Sequence, residues 1–233
     1  MAVAQILLAV PSERRFVRFA MCRLGHLFPY LPKQPGYHKR MRTLAAQIVR
    51  LLHVITFPSP SWCDTIRLLD STPVPCGQSR ETLRRSNFAG DAADGYCASH
   101  SRYLWGFRLY LLCASDGIPI AFEPAAANAS ERDVAAEMLR RVDLQGDTVI
   151  ADKVRRPDRK GEAPRFGSLG GIRQSIESVF DTRKGQRSLE RHGAITIGGL
   201  ISRITQRLLA LATSLSHNRT TANPGRHLTA HDH

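Results

Sequence analysis

The chain has 233 residues, a formal net charge of +13 and an isoelectric point near 10.3. This length allows one substantial hydrophobic core, or a catalytic domain with a small helical appendage. The charge favours a polyanionic partner, because each Lys or Arg that neutralises a phosphate releases a condensed counterion. A generally basic protein from an arginine-rich genome would show the same excess, so composition alone does not decide between the two.

The five cysteines argue against two kinds of site. They are odd in number and contain no Cys-x2-Cys pair, which disfavours both a zinc site and a disulfide framework. We expect reduced, mostly buried thiols in a cytoplasmic protein. No membrane partner is expected, because Arg203 and Arg207 interrupt the long apolar segment 195–215 before it reaches the roughly 18 residues that span a bilayer.

The first 60 residues predict helices. A helix-like run covers 2–10, Ser12 can cap a helix that reaches about Leu27, and a second helix runs from about Tyr37 to Ile55. The positions expected to face the core are Phe16, Phe19 and Ala20 in the first of these two helices, and Met41, Leu44, Ile48, Leu51 and Leu52 in the second. Two helices around a tight connector suit either a DNA-binding helix-turn-helix or a helical cap on the sheet that follows.

The centre of the chain predicts a mixed sheet. The expected elements are strands at about 65–71, 105–114 and 118–122, a loop at 75–101, and a helix at about 131–142. Asp116-Gly117 is a strong hairpin signal between the second and third strands. The helix then leads to a short strand that ends at Asp152, which suits a helical crossover. The loop holds Arg80, Arg84 and Arg85, which can contact phosphates or form a solvated face.

Three acids stand apart from the others. Asp70 and Asp152 each end a short apolar run typical of a buried strand, so a rigid sheet would hold both carboxylates at its rim. Glu177 lies on an amphipathic helix, where Arg173 and Lys184 share its stripe at about 100° per residue. The three carboxylates could converge on divalent cations beside a polyanion. Salt bridges to Arg173 or Lys153 are the alternative.

Other polar residues predict structural roles. The remaining aspartates, Asp147 among them, are expected in turns or on solvent faces. His100 and His192 could contact DNA, although loop histidines are usually solvated. The apolar repeat from Ile197 to Leu215 predicts a packing helix, and the polar residues from His217 onward predict a disordered tail.

Several motifs together resemble the DDE-type transposases of bacterial insertion sequences. They are Leu-Leu-Asp-Ser-Thr-Pro-Val, Ile-Ala-Asp-Lys, Arg-x3-Glu-x6-Lys, and the blocks that begin at Gly95 and Leu189. The resemblance implies an α/β fold, a ribonuclease H-like mixed sheet flanked by helices. It also implies two Mg²⁺ or Mn²⁺ ions, which serve to cut and rejoin double-stranded DNA at the element's terminal inverted repeats and in target DNA. Asp70, Asp152 and Glu177 would be the catalytic, metal-binding acids, with Arg173 and Lys184 as accompanying phosphate-binding residues.

The same resemblance predicts a shortened copy. Family members carry a further helical stretch before the point where this chain begins, and a longer segment between the last two acids, here 25 residues apart. We expect a helical segment 1–60, a ribonuclease H-like domain 61–216 that is incomplete between 153 and 168, and a tail 217–233. Little or no strand transfer is expected from such a copy, and the DNA partner implies a nucleoid-associated protein. A non-catalytic DNA-binding remnant, a ribonuclease H-like nuclease unrelated to transposition, and a homodimeric assembly all remain open.

Overall fold

A mixed five-stranded sheet forms the centre of the protein. A computed structural model describes residues 1–77, 86–97, 102–144, 146–151, 189 and 192–221, with only the backbone of Cys97 and Arg102. The strands are β1 (Ile66–Gly77), β2 (Ala93–Cys97), β3 (Arg102–Ala114), β4 (Pro119–Ala126) and β5 (Thr148–Ala151). β1 pairs with β5 in parallel and with β3 antiparallel, and β3 also pairs antiparallel with β2 and β4. The fold is α/β and ribonuclease H-like, as predicted.

Helices flank this sheet. Within the described ranges they are α1 (Ala2–Leu7), α2 (Glu13–Arg23), α3 (Gln34–Thr43), α4 (Ala45–Thr56), α5 (Glu131–Arg140) and α6 (Ile197–Thr220), with short 3₁₀ turns at Gly25–Leu27 and Pro60–Cys63. Ser12 and Ser130 cap α2 and α5 by accepting backbone N–H bonds through their hydroxyls. The predicted β3–β4 hairpin is confirmed, with Gly117 at φ +91° in its turn.

The last helix, α6, is buried on nearly all sides. Leu200, Ile204 and Leu208 pack against the core formed by β1 and β3. On another side of the same helix, Leu209 packs with Phe16 of the N-terminal helices. A helix placed between two layers needs apolar residues around most of its circumference, which explains why its apolar repeat is so extended.

Polar side chains fasten the N-terminal helices to α6. Gln206 is fully buried, and its amide nitrogen donates to Gln5 Oε1 and to the carbonyl oxygen of Ala2, both at 3.0 Å. The Tyr37 hydroxyl donates to the same Gln5 oxygen at 2.8 Å. Buried polar groups are costly unless they are paired. These bonds therefore fix how the first 60 residues dock against the end of the chain.

Two strands differ from the prediction. β1 continues past 71 through Pro73 and Pro75, which are two residues apart and so leave both missing N–H groups on one edge, away from the β3 ladder. β2 lies inside the predicted loop, because its sequence, Ala-Asp-Gly-Tyr-Cys, has weak strand propensity. Glycine at position 95 allows the backbone of Ala127 to come close to β2, since a Cβ there would lie 2.3 Å from the carbonyl oxygen of Ala127.

The predicted helix 37–55 is two helices. The chain bends at Leu44, with φ −90° and ψ 4°, at a point where neither Gly nor Pro signals a break. The bend lets α3 pack on α2 while Leu52 of α4 reaches the sheet core. As a result Leu44 and Leu51 are exposed, contrary to the prediction, and so is Phe19 on α2.

The end of α6 also corrects the predicted tail, because the helix continues to Thr220. Arg219 explains the extension. Its guanidinium pairs with Asp116 in the β3–β4 turn and donates to the hydroxyls of Ser59 and Ser61. These contacts hold the last turn against the sheet.

Two of the cysteines, Cys22 and Cys63, are exposed. The expectation of mostly buried thiols therefore holds only for part of the set. In the described part of the chain, no helix combines the length and apolar character that a bilayer span requires.

Candidate active site

The sequence predicted that Asp70 ends its strand. In the structure it lies near the middle of β1, which continues to Gly77. It is opposite Leu111 of β3, and its neighbour Leu69 is opposite Ala151 of β5. Within the described residues, the pairing of β1 with β5 stops at Leu69 and Ala151. The rim beside Asp70 is therefore formed by the end of β5, while β1 itself runs on.

The Asp70 side chain is half-buried at the border of the main core. Strand alternation places it on the same face as Leu68 and Val74, which α6 covers. Its Oδ1 accepts a hydrogen bond from the backbone N–H of Ser71 at 2.7 Å. This bond orients the carboxylate within the strand.

A buried ion pair holds β1 and β5 together next to Asp70. Arg67 Nε lies 2.9 Å from Asp147 Oδ2, and the two side chains are 7% and 13% exposed. The Arg67 guanidinium also donates to the carbonyl oxygen of Trp62 at 2.8 Å. Arg67 comes three residues before Asp70, and Asp147 comes directly before β5. The pair therefore fixes the parallel register at the site, and the prediction of a solvated Asp147 is wrong.

His192 is buried beside the bulged end of β1, whereas a solvated ring was the favoured prediction. Its Nε2 lies 3.1 Å from the carbonyl oxygen of Pro75, and its Nδ1 accepts from the N–H of Ala194 at 3.0 Å. These bonds fit a neutral imidazole protonated on Nε2. Burial lowers the pKa of His192, and the nearby cations Arg207 and Arg203 act in the same direction, against the bond to Pro75.

Arg207 of α6 is a buried cation that the sequence did not identify as a candidate. Burial, followed by repulsion from Arg203, lowers its pKa to about 10. Its Nη1 donates to the carbonyl oxygen of Arg203 at 3.0 Å, and Arg203 itself pairs with Glu13 at 2.6 Å. The sequence alone marks both arginines only as interruptions of an apolar segment. Each arginine directly precedes a core residue, Ile204 or Leu208. This adjacency could have indicated that the two arginines lie beside the core.

The other candidate residues lie outside the described part of the chain. They are Asp152, Glu177, Arg173, Lys184, Arg80, Arg84 and Arg85. Among the described residues, no group of three or more His, Cys, Asp and Glu side chains could hold a metal ion. Asp70 is thus the one predicted site residue that falls within the described ranges.

Residues 61–154 match the family model of the transposase DDE domain. This segment, 94 of the 233 residues, is similar to the DDE domain of transposases. The DDE segment contains β1 to β5, including Asp70 and Asp152, and it ends before Glu177. No curated protein and no solved structure matched the chain.

The buried His192 should make the stability of the protein depend on pH. Its pKa is lowered from 6.5 on folding, so the unfolded chain binds more protons near pH 6. The free energy of unfolding should fall as the pH drops from 7 through 6, by at most about 1.4 kcal/mol per pH unit for one group. Urea unfolding across this range measures it. His192→Gln should flatten the profile, while His53→Gln, at an exposed position, should not; equal profiles for all three proteins would contradict the prediction.

Breaking the Arg67–Asp147 pair should destabilise the junction of β1 and β5. Asp147→Asn leaves a buried guanidinium charge without its partner, which costs about 3–5 kcal/mol. Thermal unfolding measures the loss. Glu137→Gln is the matched control, because its partners Arg140 and Arg141 are exposed and such pairs contribute under about 1 kcal/mol. An equal effect of the two substitutions would show that Arg67 does not need Asp147.

Proposed function

We propose that this chain is the DNA transposase of an insertion sequence and that it cuts DNA and transfers strands at the element's ends. The observation that carries the proposal is the parallel pairing of Leu69 with Ala151 inside the matched DDE segment. The residues that follow these two are Asp70 and Asp152. The family motif and the strand register therefore point to the same two carboxylates.

The strand pairing next to Asp70 supports this assignment. Leu69 is paired with Ala151 on neighbouring strands, which are about 4.8 Å apart, and each aspartate is the next residue in sequence after one member of this pair. Asp70 lies on the same face of β1 as Leu68, and Ile150 of β5 packs in the same cluster as Leu68. Two carboxylates that each follow one member of a cross-strand pair are the natural candidates for ligands of a shared ion.

The donor set fits divalent metal ions. Carboxylate oxygens are the ligands that Mg²⁺ and Mn²⁺ prefer, and Glu177 is the third acid by motif position. Two bound ions would supply Lewis-acid activation of water or a 3′-hydroxyl and stabilisation of the leaving oxygen. Asp70, Asp152 and Glu177 would hold them, with Asp70 oriented by the N–H of Ser71.

The basic side chains have a separate part in the proposal. Arg173 and Lys184 would bind phosphate beside Glu177, and Arg80, Arg84 and Arg85 would contact the duplex backbone. Arg67 and Asp147 would act as positioning residues, because they set the register of β1, which carries Asp70, and of β5, which ends directly before Asp152.

The N-terminal helices offer a further surface for duplex DNA. The first 60 residues contain nine Lys and Arg residues, all exposed, and a single acid, Glu13, which is buried and paired with Arg203. Arg14, Arg15 and Arg18 form the outward face of α2. A surface with only positive charge attracts a polyanion at any orientation. This supports DNA binding even if catalysis is absent, which is the non-catalytic alternative.

Metal binding should depend on the two aspartates. Asp70→Asn and Asp152→Asn should each weaken Mn²⁺ binding, because each removes a charged ligand, whereas Asp94→Asn at an exposed position should not. Calorimetry with Mn²⁺ alone measures this. Unchanged Mn²⁺ affinity in both site variants would remove them from the metal site.

The chemistry is tested with a Mn²⁺-dependent cleavage and joining assay on DNA that carries the element's own ends. Glu177→Gln is the inactive control. Cleavage that this substitution abolishes supports the proposed activity. Metal binding without cleavage favours the non-catalytic remnant, and the short segment between Asp152 and Glu177 would then be the reason, since a displacement of about 1 Å can cost roughly a hundredfold in rate.

DNA affinity should fall steeply with salt, and α2 should account for part of the slope. Replacing Arg14, Arg15 and Arg18 with Gln should reduce the slope of log K against log salt by about 0.9 for each phosphate that is no longer neutralised. Replacing Arg132 and Arg140 of α5, together with Arg141 directly after it, removes the same charge from a surface that also holds acids, and should change the slope less. Filter binding at several salt concentrations measures both. Equal slopes in the two variants would show that the arginines of α2 contribute no more to DNA binding than those at α5.

A further inference from the structure

Two tyrosines form an exposed aromatic pair at the far end of the sheet. Tyr96 of β2 lies opposite Tyr103 of β3, and their ring centroids are 5.0 Å apart. Tyr103 is 80% exposed and Tyr96 is 48% exposed. Large aromatic side chains usually bury most of their surface, so an exposed pair on one face of a strand ribbon suggests a binding surface.

The ribbon that carries this pair is firmly held at its base. The Arg108 guanidinium donates to the carbonyl oxygen of Tyr96 and pairs with Glu131 at the start of α5. On the opposite face, Leu104 packs against Ala127. The rings are therefore presented by a preorganised backbone, which lowers the entropic cost of binding a partner.

The charge of the chain indicates the chemistry of that partner. From Gly95 to Ser115 the sequence contains no Asp or Glu, but the exposed Asp94 directly precedes this stretch and Arg108 is paired with Glu131. The chain as a whole carries +13. An exposed aromatic platform on a strongly basic chain suits a nucleic acid strand, because every base offers a π-face for stacking and every phosphate a negative charge. A cross-strand tyrosine pair could instead stabilise only its own hairpin, by about 0.2–1 kcal/mol.

We propose that Tyr96 and Tyr103 stack on unpaired bases of a DNA strand. The proposal rests on the proposed DNA function but not on the metal site. Tyr103 is eight residues along β3 from Leu111, which lies opposite Asp70, a separation of about 27 Å along the strand. Binding at the pair can therefore be measured in EDTA, without catalysis.

The experiment compares two DNAs with the full chain: a blunt duplex, and the same duplex with a short single-stranded overhang. Tyr103→Leu keeps an apolar side chain but removes the ring, and should weaken binding to the overhang DNA about tenfold, within the range of base stacking on aromatic side chains. Binding to the blunt duplex should not change. Tyr103→Phe should retain the overhang preference, since the ring is kept.

Tyr30→Leu is the matched control. Tyr30 is 64% exposed, but the Arg40 guanidinium already covers its ring at 4.9 Å, so this substitution should leave the overhang preference intact. A 2-aminopurine base in the overhang gives a second readout, because stacking on a ring quenches its fluorescence. Quenching should be lost in Tyr103→Leu and kept in Tyr103→Phe.

Three results would overturn the proposal. One is an equal loss of affinity for blunt and overhang DNA, and another is a Phe variant that behaves like Leu. The third is a lower melting temperature in Tyr103→Leu with unchanged DNA binding, which would assign the pair to hairpin stability alone. Failure of DNA binding by the unsubstituted chain would instead overturn the proposed function itself.

Discussion

The burial of α6 is the constraint on which the rest of the structure depends. This helix has the sheet on one side and the N-terminal helices on another, so it can be solvated along very little of its length. Several polar residues on it bond to carbonyl oxygens of the same helix, and others find partners on the N-terminal helices. Ser202 donates to the carbonyl oxygen of Met41, Gln206 to Gln5, and Arg203 pairs with Glu13. Apolar packing around Phe16, Met41 and Leu209 stabilises the N-terminal helices against α6. The polar bonds then select how α1 to α4 dock, because an arrangement that left such groups unpaired in the interior would be costly.

Much of the fold could be predicted because local signals were strong. The Asp116-Gly117 turn, the Ser12 cap and the apolar period of α6 each act within a few residues, where pattern rules are reliable. The misses all arise from tertiary contacts. β2 is a strand because β3 offers it a backbone partner, and α3 and α4 separate because two different cores compete for their apolar faces. Neither cause is visible in a window of a few residues.

In the candidate site, too, some residues could be identified from local sequence and others depend on partners that are remote in sequence. Asp70 could be identified from its motif, since the residue types around a strand carboxylate are local information. The burial of His192 and Arg207 and the pairing of Arg67 with Asp147 could not, because their partners are remote in sequence. In the sequence Asp147 has the pattern of an ordinary turn residue, because its ion pair with Arg67 forms only when β5 pairs with β1. Charged residues within or next to apolar runs are therefore as informative in a sequence as strand-end carboxylates.

The bond between Gln5 and Gln206 joins residues 201 positions apart. During synthesis the N-terminal helices emerge first, and their apolar faces must wait for almost the whole chain before α6 arrives to cover them. Contacts of such long sequence separation slow folding and leave hydrophobic surface open in the interval. Until α6 leaves the ribosome, the nascent chain depends on its exposed arginines, or on chaperones, to avoid aggregation. The core between the N-terminal helices and α6 can therefore close only late in translation.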